Sequence, residues 1–147
     1  MRCFLAIAMM LMSAWARAEQ QAEIAVAAAA AYSIDSMIVD PTTLVQLHDY
    51  LATRAEQLRS IAIIASSFDI KLLLPFAAYA QQVQLILALP ETGAIASAVL
   101  SEQPEFSAVP NVYIETIGGN LVVTKQKLLV TPIIRYETGI PSTPLGL

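Results

Sequence analysis

Three basic side chains near the carboxyl end of the chain have types and a spacing that could bind an anion. Lys125 and Lys127 are two residues apart, and side chains at that spacing point to the same face of a β-strand. If Arg135 lies on the strand that pairs with theirs, the three cations would form one site for an anion such as phosphate. The alternative is that they are ordinary solvated charges on a β-hairpin. We favour that interpretation, because basic side chains are mostly exposed.

The other residues with catalytic potential have plainer interpretations. His48 is the only histidine, and we expect a partly exposed position on a helix. Ser66 and Ser67 precede a predicted helix, but no histidine or acid-base partner is identifiable that would activate a serine nucleophile. Asp69 is expected to cap that helix. The Gly118–Gly119 pair matches neither a dinucleotide fingerprint nor a phosphate loop and indicates a turn.

The elements that must position these residues can be predicted from the hydrophobic pattern. The predicted helices cover residues 41–58, 70–81 and 92–100, and an alanine-dense stretch at 22–32 predicts a short helix or a tether. The predicted strands cover residues 36–39, 61–65, 83–89, 112–117, 121–130 and 133–136. Asp40 and Pro41 form the start of the first helix, and Pro75 must kink or delay the second. The tail from Gly139 is expected to be irregular.

The order of these elements predicts the fold class. The strand at 61–65 is apolar without alternation, which is typical of a strand that is covered on both faces. Helices and strands alternate until a final pair of strands. The sequence therefore predicts an α/β fold, in which a mixed β-sheet is flanked by helices on both faces.

A Gly-Gly-Asn turn precedes the strand that carries the lysines. Six positions from this strand onward have the spacing of a known sequence signature: Lys125, Lys127, Pro132, Gly139, Ile140 and Ser142. The layout resembles the phospholipase D superfamily, and more narrowly its small, secreted, single-domain nucleases, whose signature is H-x-K, four residues, D, six residues and G-S-x-N. The resemblance covers about residues 43–147 and implies one phospholipase D-like α/β domain over residues 41–147. A second register places Val123, Thr124 and Lys125 on the H-x-K and also offers no histidine.

The departures from that signature bear on function. In the family, the histidine is the nucleophile that forms a phosphohistidine intermediate, and imidazole suits this role because its reference pKa is about 6.5. Lys125 stands at that position, and lysine side chains, with a reference pKa of about 10.4, are almost all protonated at pH 7. The family's aspartate, serine and asparagine are replaced by Pro132, Ile140 and Ser142. Only Lys127 and Gly139 are retained, so the resemblance implies no catalytic residues here.

The first 18 residues have the organisation of a cleavable signal peptide. Arg2 precedes an uncharged apolar run that is too short to span a membrane, and Ala16-Arg17-Ala18 provides a small-x-small cleavage site. We therefore expect a periplasmic or secreted protein, in which an alanine-rich segment at 19–40 precedes the domain. Cys3 is the only cysteine and would leave with the signal.

Charge and composition exclude several function classes for the mature chain. Two of the eight basic residues and none of the twelve acidic ones lie in the signal, which leaves a net charge of −6. A general electrostatic DNA-binding protein is not expected at this charge, because neutralising phosphates needs a basic surface. One histidine and no mature cysteine argue against a zinc or other transition-metal site, and we expect no cofactor.

The sequence thus predicts an exported, catalytically inactive phospholipase D-like domain that serves as a binding or structural subunit. The resemblance implies a homodimer, and a partner in a cell-envelope secretion or conjugation assembly would also fit. An apolar content of 56% favours a chain that hides surface in a partner. The alternatives are an active periplasmic phosphodiesterase or nuclease with a rearranged site, and a thioredoxin-like domain without cysteines.

Overall fold

The computed structural model describes residues 35–54, 56–125 and 133–142 of the chain. Its strands are β1 (Ser36–Val39), β2 (Leu58–Ala65), β3 (Ala80–Leu89), β4 (Gly93–Val99), β5 (Ser107–Ala108), β6 (Val112–Ile117), β7 (Asn120–Lys125) and β8 (Ile133–Pro141). Its helices are α1 (Pro41–Gln46), α2 (His48–Thr53), α3 (Ile70–Leu73) and a 3-10 helix, Leu74–Tyr79. Residues 1–34 and 126–132, which include the predicted signal peptide, most of the alanine-rich segment, Lys127 and Pro132, lie outside the described residues.

The larger sheet has five strands in the order β1-β2-β3-β4-β5. The first three are parallel, and β4 and β5 are antiparallel to their neighbours. Parallel neighbours need a crossover connection, which α1 and α2 provide between β1 and β2, and α3 with the 3-10 helix provides between β2 and β3. Because such crossovers are right-handed and the strand order advances in one direction, both connections lie over the same face.

The buried side chains of the larger sheet lie on the face that packs against the helices. Ile61 and Ile63 of β2, and Val83 and Leu85 of β3, face the helices and are at most 4% exposed. They belong to one hydrophobic core with Leu44, Leu47 and Leu51 of the first crossover and Phe76 of the second. We call this the inner face of the larger sheet. The side chains between them point to the opposite, outer face, where Ile64 is 38% exposed.

The second sheet is antiparallel, in the order β6-β7-β8. Leu121 and Val123 of β7 are fully buried in the same core as the inner face of the larger sheet. A Gly118–Gly119 turn, in which both glycines have positive φ, joins β6 to β7 as predicted. The molecule is therefore an α/β structure that is mostly sheet, in which one core serves helices, a mixed sheet and an antiparallel sheet.

The start of α1 agrees with prediction. The Asp40 carboxylate accepts hydrogen bonds from the backbone amides of Thr42 and Thr43 and from the Thr43 hydroxyl. Burial raises the pKa of Asp40, but these hydrogen bonds outweigh it and hold the pKa below its usual value. Asp40 is therefore a cap that is most effective when ionised.

Two predicted helices are wrong in extent. The helix expected over 41–58 is broken at Leu47 into α1 and α2, and it ends at Thr53, because Arg54 is extended. Leu58 begins β2 instead, where the adjacent Arg59 amide donates to the Asp35 carbonyl. The helix expected over 70–81 ends at Tyr79, and Pro75 changes its second half to 3-10 geometry.

The helix predicted over 92–100 is a strand. Gly93 has a φ of +67° in the tight turn after β3, and β4 then returns antiparallel to β3. Its alanines favour helix locally, but hydrogen bonding to β3 along most of the strand outweighs that preference. The tail prediction is also wrong for residues 139–141, which extend β8 to Pro141.

The remaining strand predictions at 36–39, 61–65, 83–89 and 112–117 are confirmed, with β2 and β3 starting three residues earlier than expected. β1 lies in the predicted alanine-rich segment 19–40 and is a strand of the larger sheet.

The described helices share a core with only the inner face, so the expectation of helices on both faces is not met in residues 35–54, 56–125 and 133–142. Among these residues, no helix has the length and apolar character to cross a membrane.

Candidate functional site

Lys125, the first residue of the predicted anion site, lies at the end of β7. It alternates with the buried Leu121 and Val123, so its side chain lies on the core side of the antiparallel sheet. Its Nζ donates a hydrogen bond of 2.8 Å to the carbonyl oxygen of Thr92. Thr92 is 4% exposed in the turn between β3 and β4. The ammonium therefore joins the two sheets.

Arg135 lies on β8, which pairs with β7 as the anion-site hypothesis requires. It has a φ of +50° at an irregularity in that pairing, and its amide donates to Thr124 Oγ1 at 3.1 Å. Its guanidinium Nη1 is 3.4 Å from Glu115 Oε1 on β6. Glu115 is paired with Val122, which places this ion pair on the face of the antiparallel sheet opposite to Lys125. Both side chains are about half exposed, and such surface pairs contribute little stability.

The structure therefore does not bring Lys125 and Arg135 together. They lie on opposite faces of the same sheet, and each is bonded to an acceptor within the chain. Lys127 lies outside the described residues, so the three-cation site stays a prediction.

The signature positions are also separated. Lys125 pairs with Ile133, at one end of the β7–β8 pair. Ser142 lies at the other end, where its amide and hydroxyl donate to the Gly119 carbonyl at 2.9 and 3.3 Å. Since a strand rises about 3.4 Å per residue, the length of β7 puts roughly 17 Å between the two ends. Gly139 and Ile140 lie near the Ser142 end, and Pro132 is outside the described residues.

His48 has partners that the sequence did not predict. Its Nε2 is 3.1 Å from the Tyr79 hydroxyl, and its Nδ1 is 3.2 Å from Asp49 Oδ1. The ring also packs edge-on against Phe76, with centroids 5.8 Å apart. The side chain is 47% exposed, in agreement with a partly exposed helix residue. These contacts hold α2 against the 3-10 helix.

A cavity of about 160 Å³ lies where β2 ends. Its lining is mostly apolar, with two serine hydroxyls, and consists of Ser66, Ser67, Phe68, Ile70, Pro104, Phe106, Ile140 and Pro141. The rings of Phe68 and Phe106 stack with centroids 5.7 Å apart beside it.

Asp69 accepts a hydrogen bond of 3.3 Å from the Leu72 amide and caps α3, as predicted. In the described part of the chain, no three histidine, cysteine, aspartate or glutamate side chains are grouped to hold a metal.

Comparisons with known proteins give no match: no family model fits the chain, and no curated protein or solved structure is significantly similar to it.

Proposed function

We propose that this chain is an exported, catalytically inactive phospholipase D-like domain that serves as a binding or structural subunit. One observation carries the proposal: the Nζ of Lys125, the residue that the resemblance aligns with the nucleophilic histidine, donates a hydrogen bond to the Thr92 carbonyl. This contact within the chain holds the side chain against the turn between β3 and β4.

The distance between the signature positions supports the same proposal. A phosphodiesterase of this kind would need its phosphate-binding groups to converge on one anion. Lys125 and Ser142 instead lie at opposite ends of the β7–β8 pair. The resemblance to the family itself rests on the sequence spacing, since Lys125 and Gly139 lie on the antiparallel sheet and the parallel strands β1, β2 and β3 lie in the other sheet.

A hydrolysis assay tests the proposal against an active phosphodiesterase. The purified exported protein would be incubated with bis(p-nitrophenyl) phosphate and with a short single-stranded oligonucleotide. The expected result is no turnover above that of the Lys127→Ala variant. Turnover that the Lys127→Ala change abolishes, with folding unchanged by circular dichroism, would establish the active alternative.

The partner in this proposal is another protein chain rather than nucleic acid. The outward face of the antiparallel sheet exposes Tyr113 by 57%, Ile117 by 43% and Ile134 by 70%, beside the Arg135–Glu115 pair. Aromatic, aliphatic and arginine side chains of this kind are enriched in protein interfaces. The partner is either a second copy of the chain or a component of an envelope secretion or conjugation assembly.

A photo-crosslinking amino acid at position 113, in the native host, distinguishes these partners. A crosslinked species of twice the subunit mass indicates a homodimer, and one with a different protein indicates an assembly. The matched control is the same amino acid at Glu102, which is exposed in the loop between β4 and β5. Equal crosslinking at both positions would contradict an interface at the antiparallel sheet.

Export belongs to the same proposal. We propose cleavage after Ala18, so that the periplasmic or secreted protein begins at Glu19. Intact-mass measurement of the protein from the periplasmic fraction checks this, and a mass that includes residues 1–18 would contradict it.

A further inference from the structure

The outer face of the larger sheet has no charged side chain at the following paired positions, where serine and glutamine alternate with apolar residues. Its positions form three rows across the strands: Ser36, Ser60 and Gln82; Ile38, Ala62, Gln84 and Val99; and Ile64, Ile86, Ser97 and Ser107. Three branched side chains on this face are exposed, Ile38 at 71%, Val99 at 58% and Ile64 at 38%. Covering the face would remove their apolar surface from water, which is favourable.

The parallel pairing of β1, β2 and β3 is a second reason to expect a cover on the outer face. Parallel sheets occur almost only where both faces are covered, and their strands then lack alternation, as β2 does at residues 61–65. Both crossover connections lie over the inner face. The outer face therefore has no cover from the helices of the described residues.

The chain itself has a segment that fits this face. Residues 24–34, Ile-Ala-Val-Ala-Ala-Ala-Ala-Ala-Tyr-Ser-Ile, carry no charge and lie between Glu23 and Asp35. Their small and apolar side chains complement a surface of serine, alanine, glutamine and isolated branched residues. Mutual burial would remove both apolar surfaces from water.

The position and length of the segment favour it over a second copy of the chain. Asp35 is held next to β1, since its carbonyl accepts from the Arg59 amide and its carboxylate pairs with the Arg59 guanidinium at 2.9 Å. The segment thus starts at the β1 edge of the outer face. Four strands span about 14 Å, and eleven residues span about 16 Å even as a helix, so the segment can cross from β1 to β4. A tether this short also gives a high effective concentration.

We propose that residues 24–34 pack on the outer face of the larger sheet and complete its core. The alanine-rich segment is then part of the folded domain and not a free tether between the signal and the domain. This inference does not depend on the proposed function, because it concerns the other sheet and makes no use of Lys125.

A tryptophan reporter tests it, since Trp15 is the only tryptophan of the chain and lies within the predicted signal peptide. The protein would be expressed from Glu19 and carry Val99→Trp, so that one indole reports on the outer face. We expect blue-shifted emission and a several-fold lower iodide quenching constant than for a control with Glu102→Trp at an exposed loop position. Adding Ala28→Glu and Ala30→Glu should shift the emission to the red and restore quenching, with the circular dichroism of the sheets retained.

Two outcomes would overturn the proposal. The first is a Val99→Trp indole that is as accessible to iodide as the control. The second is protection that increases with protein concentration and persists in the Ala28→Glu, Ala30→Glu variant, which would identify a second copy of the chain on this face. If the glutamate variant does not fold, Ala28→Cys together with Val99→Cys in the protein that begins at Glu19, which has no other cysteine, tests the same contact through intramolecular disulfide formation under mild oxidation.

Discussion

The Lys125 ammonium and the Thr92 carbonyl are 2.8 Å apart and connect the antiparallel sheet to the turn between β3 and β4. Gly93, next in that turn, has a φ of +67°, and a Cβ added there would lie 3.7 Å from the Lys125 nitrogen. Because glycine has no Cβ, the space beside the lysine nitrogen stays open. Lys125 therefore makes a structural contact between the antiparallel sheet and the larger sheet.

Replacing Lys125 with Met tests that structural role. The variant keeps an unbranched stem but leaves the nearly buried Thr92 carbonyl without its donor, and we expect a loss of about 1.5–3 kcal/mol in the free energy of unfolding. Urea denaturation measures this. Lys71→Met, at an exposed position of α3, is the control and should change stability by less than about 0.5 kcal/mol. Equal effects in both variants would contradict the role.

A histidine introduced at position 125 should not create catalytic activity. Lys125→His places imidazole at the signature position, but the Ser142 end of the β7–β8 pair stays roughly 17 Å away. We expect no hydrolysis of bis(p-nitrophenyl) phosphate above the unaltered protein. Measurable turnover in this variant would show that the remaining groups can still assemble a site.

Asp40 should make stability depend on pH. Its pKa is lowered in the folded state, so its contribution is present above the unfolded value of about 3.9 and is lost as the pH falls through the folded value. At pH 7, Asp40→Ala should cost about 0.5–2 kcal/mol, as for other N-cap residues. The difference from the unaltered protein should shrink below about pH 4. Glu102→Ala, an exposed carboxylate, should show neither effect, and a pH-independent difference for Asp40→Ala would contradict the assignment.

Leu85 should be among the most sensitive positions of the core. It is fully buried and lies between Ile63 and Ala98 on the neighbouring strands. Leu85→Ala should cost about 2–5 kcal/mol, because it leaves a cavity in a packed core. Leu72→Ala, at a residue that is 50% exposed, is the matched control and should have a much smaller effect in thermal unfolding.

His48 and Tyr79 should be energetically coupled. A double-mutant cycle with His48→Ala and Tyr79→Phe is expected to give a coupling of about 0.5–1.5 kcal/mol, the net value of one hydrogen bond. Tyr113→Phe removes a hydroxyl elsewhere and should give no coupling with His48→Ala. A coupling near zero in the first cycle would mean that the 3.1 Å contact is not maintained in solution.

Some of this structure follows from short stretches of sequence. The caps at Asp40 and Asp69 were predicted because a carboxylate reaches amides only two or three residues away. The strands at 83–89 and 112–117 were predicted because long apolar or alternating runs keep their preference in most surroundings. The helix at 92–100 was wrong because alanine-rich residues favour helix locally, while pairing with β3 depends on residues farther along the chain.

The candidate site was less predictable than the strands. The residue types and the separation of Lys125 from Gly139 were visible in the chain. Which face each side chain occupies was not, because an irregularity at Arg135 changes the alternation on β8. The Lys125–Thr92 and His48–Tyr79 contacts join residues 33 and 31 positions apart and left no periodic signal in the sequence.

The sequence by itself determined the identity and spacing of Lys125, Arg135 and Gly139, because residue identity needs no fold. It also determined the local caps, the turn glycines and the apolar strands, whose energies come from neighbours along the chain. Only the tertiary structure decided that Lys125 faces Thr92 while Arg135 faces Glu115 on the other side of the sheet. It also decided that the outer face has no cover from the described helices. Both depend on strand pairing and crossover direction, which arise only when distant segments pack together.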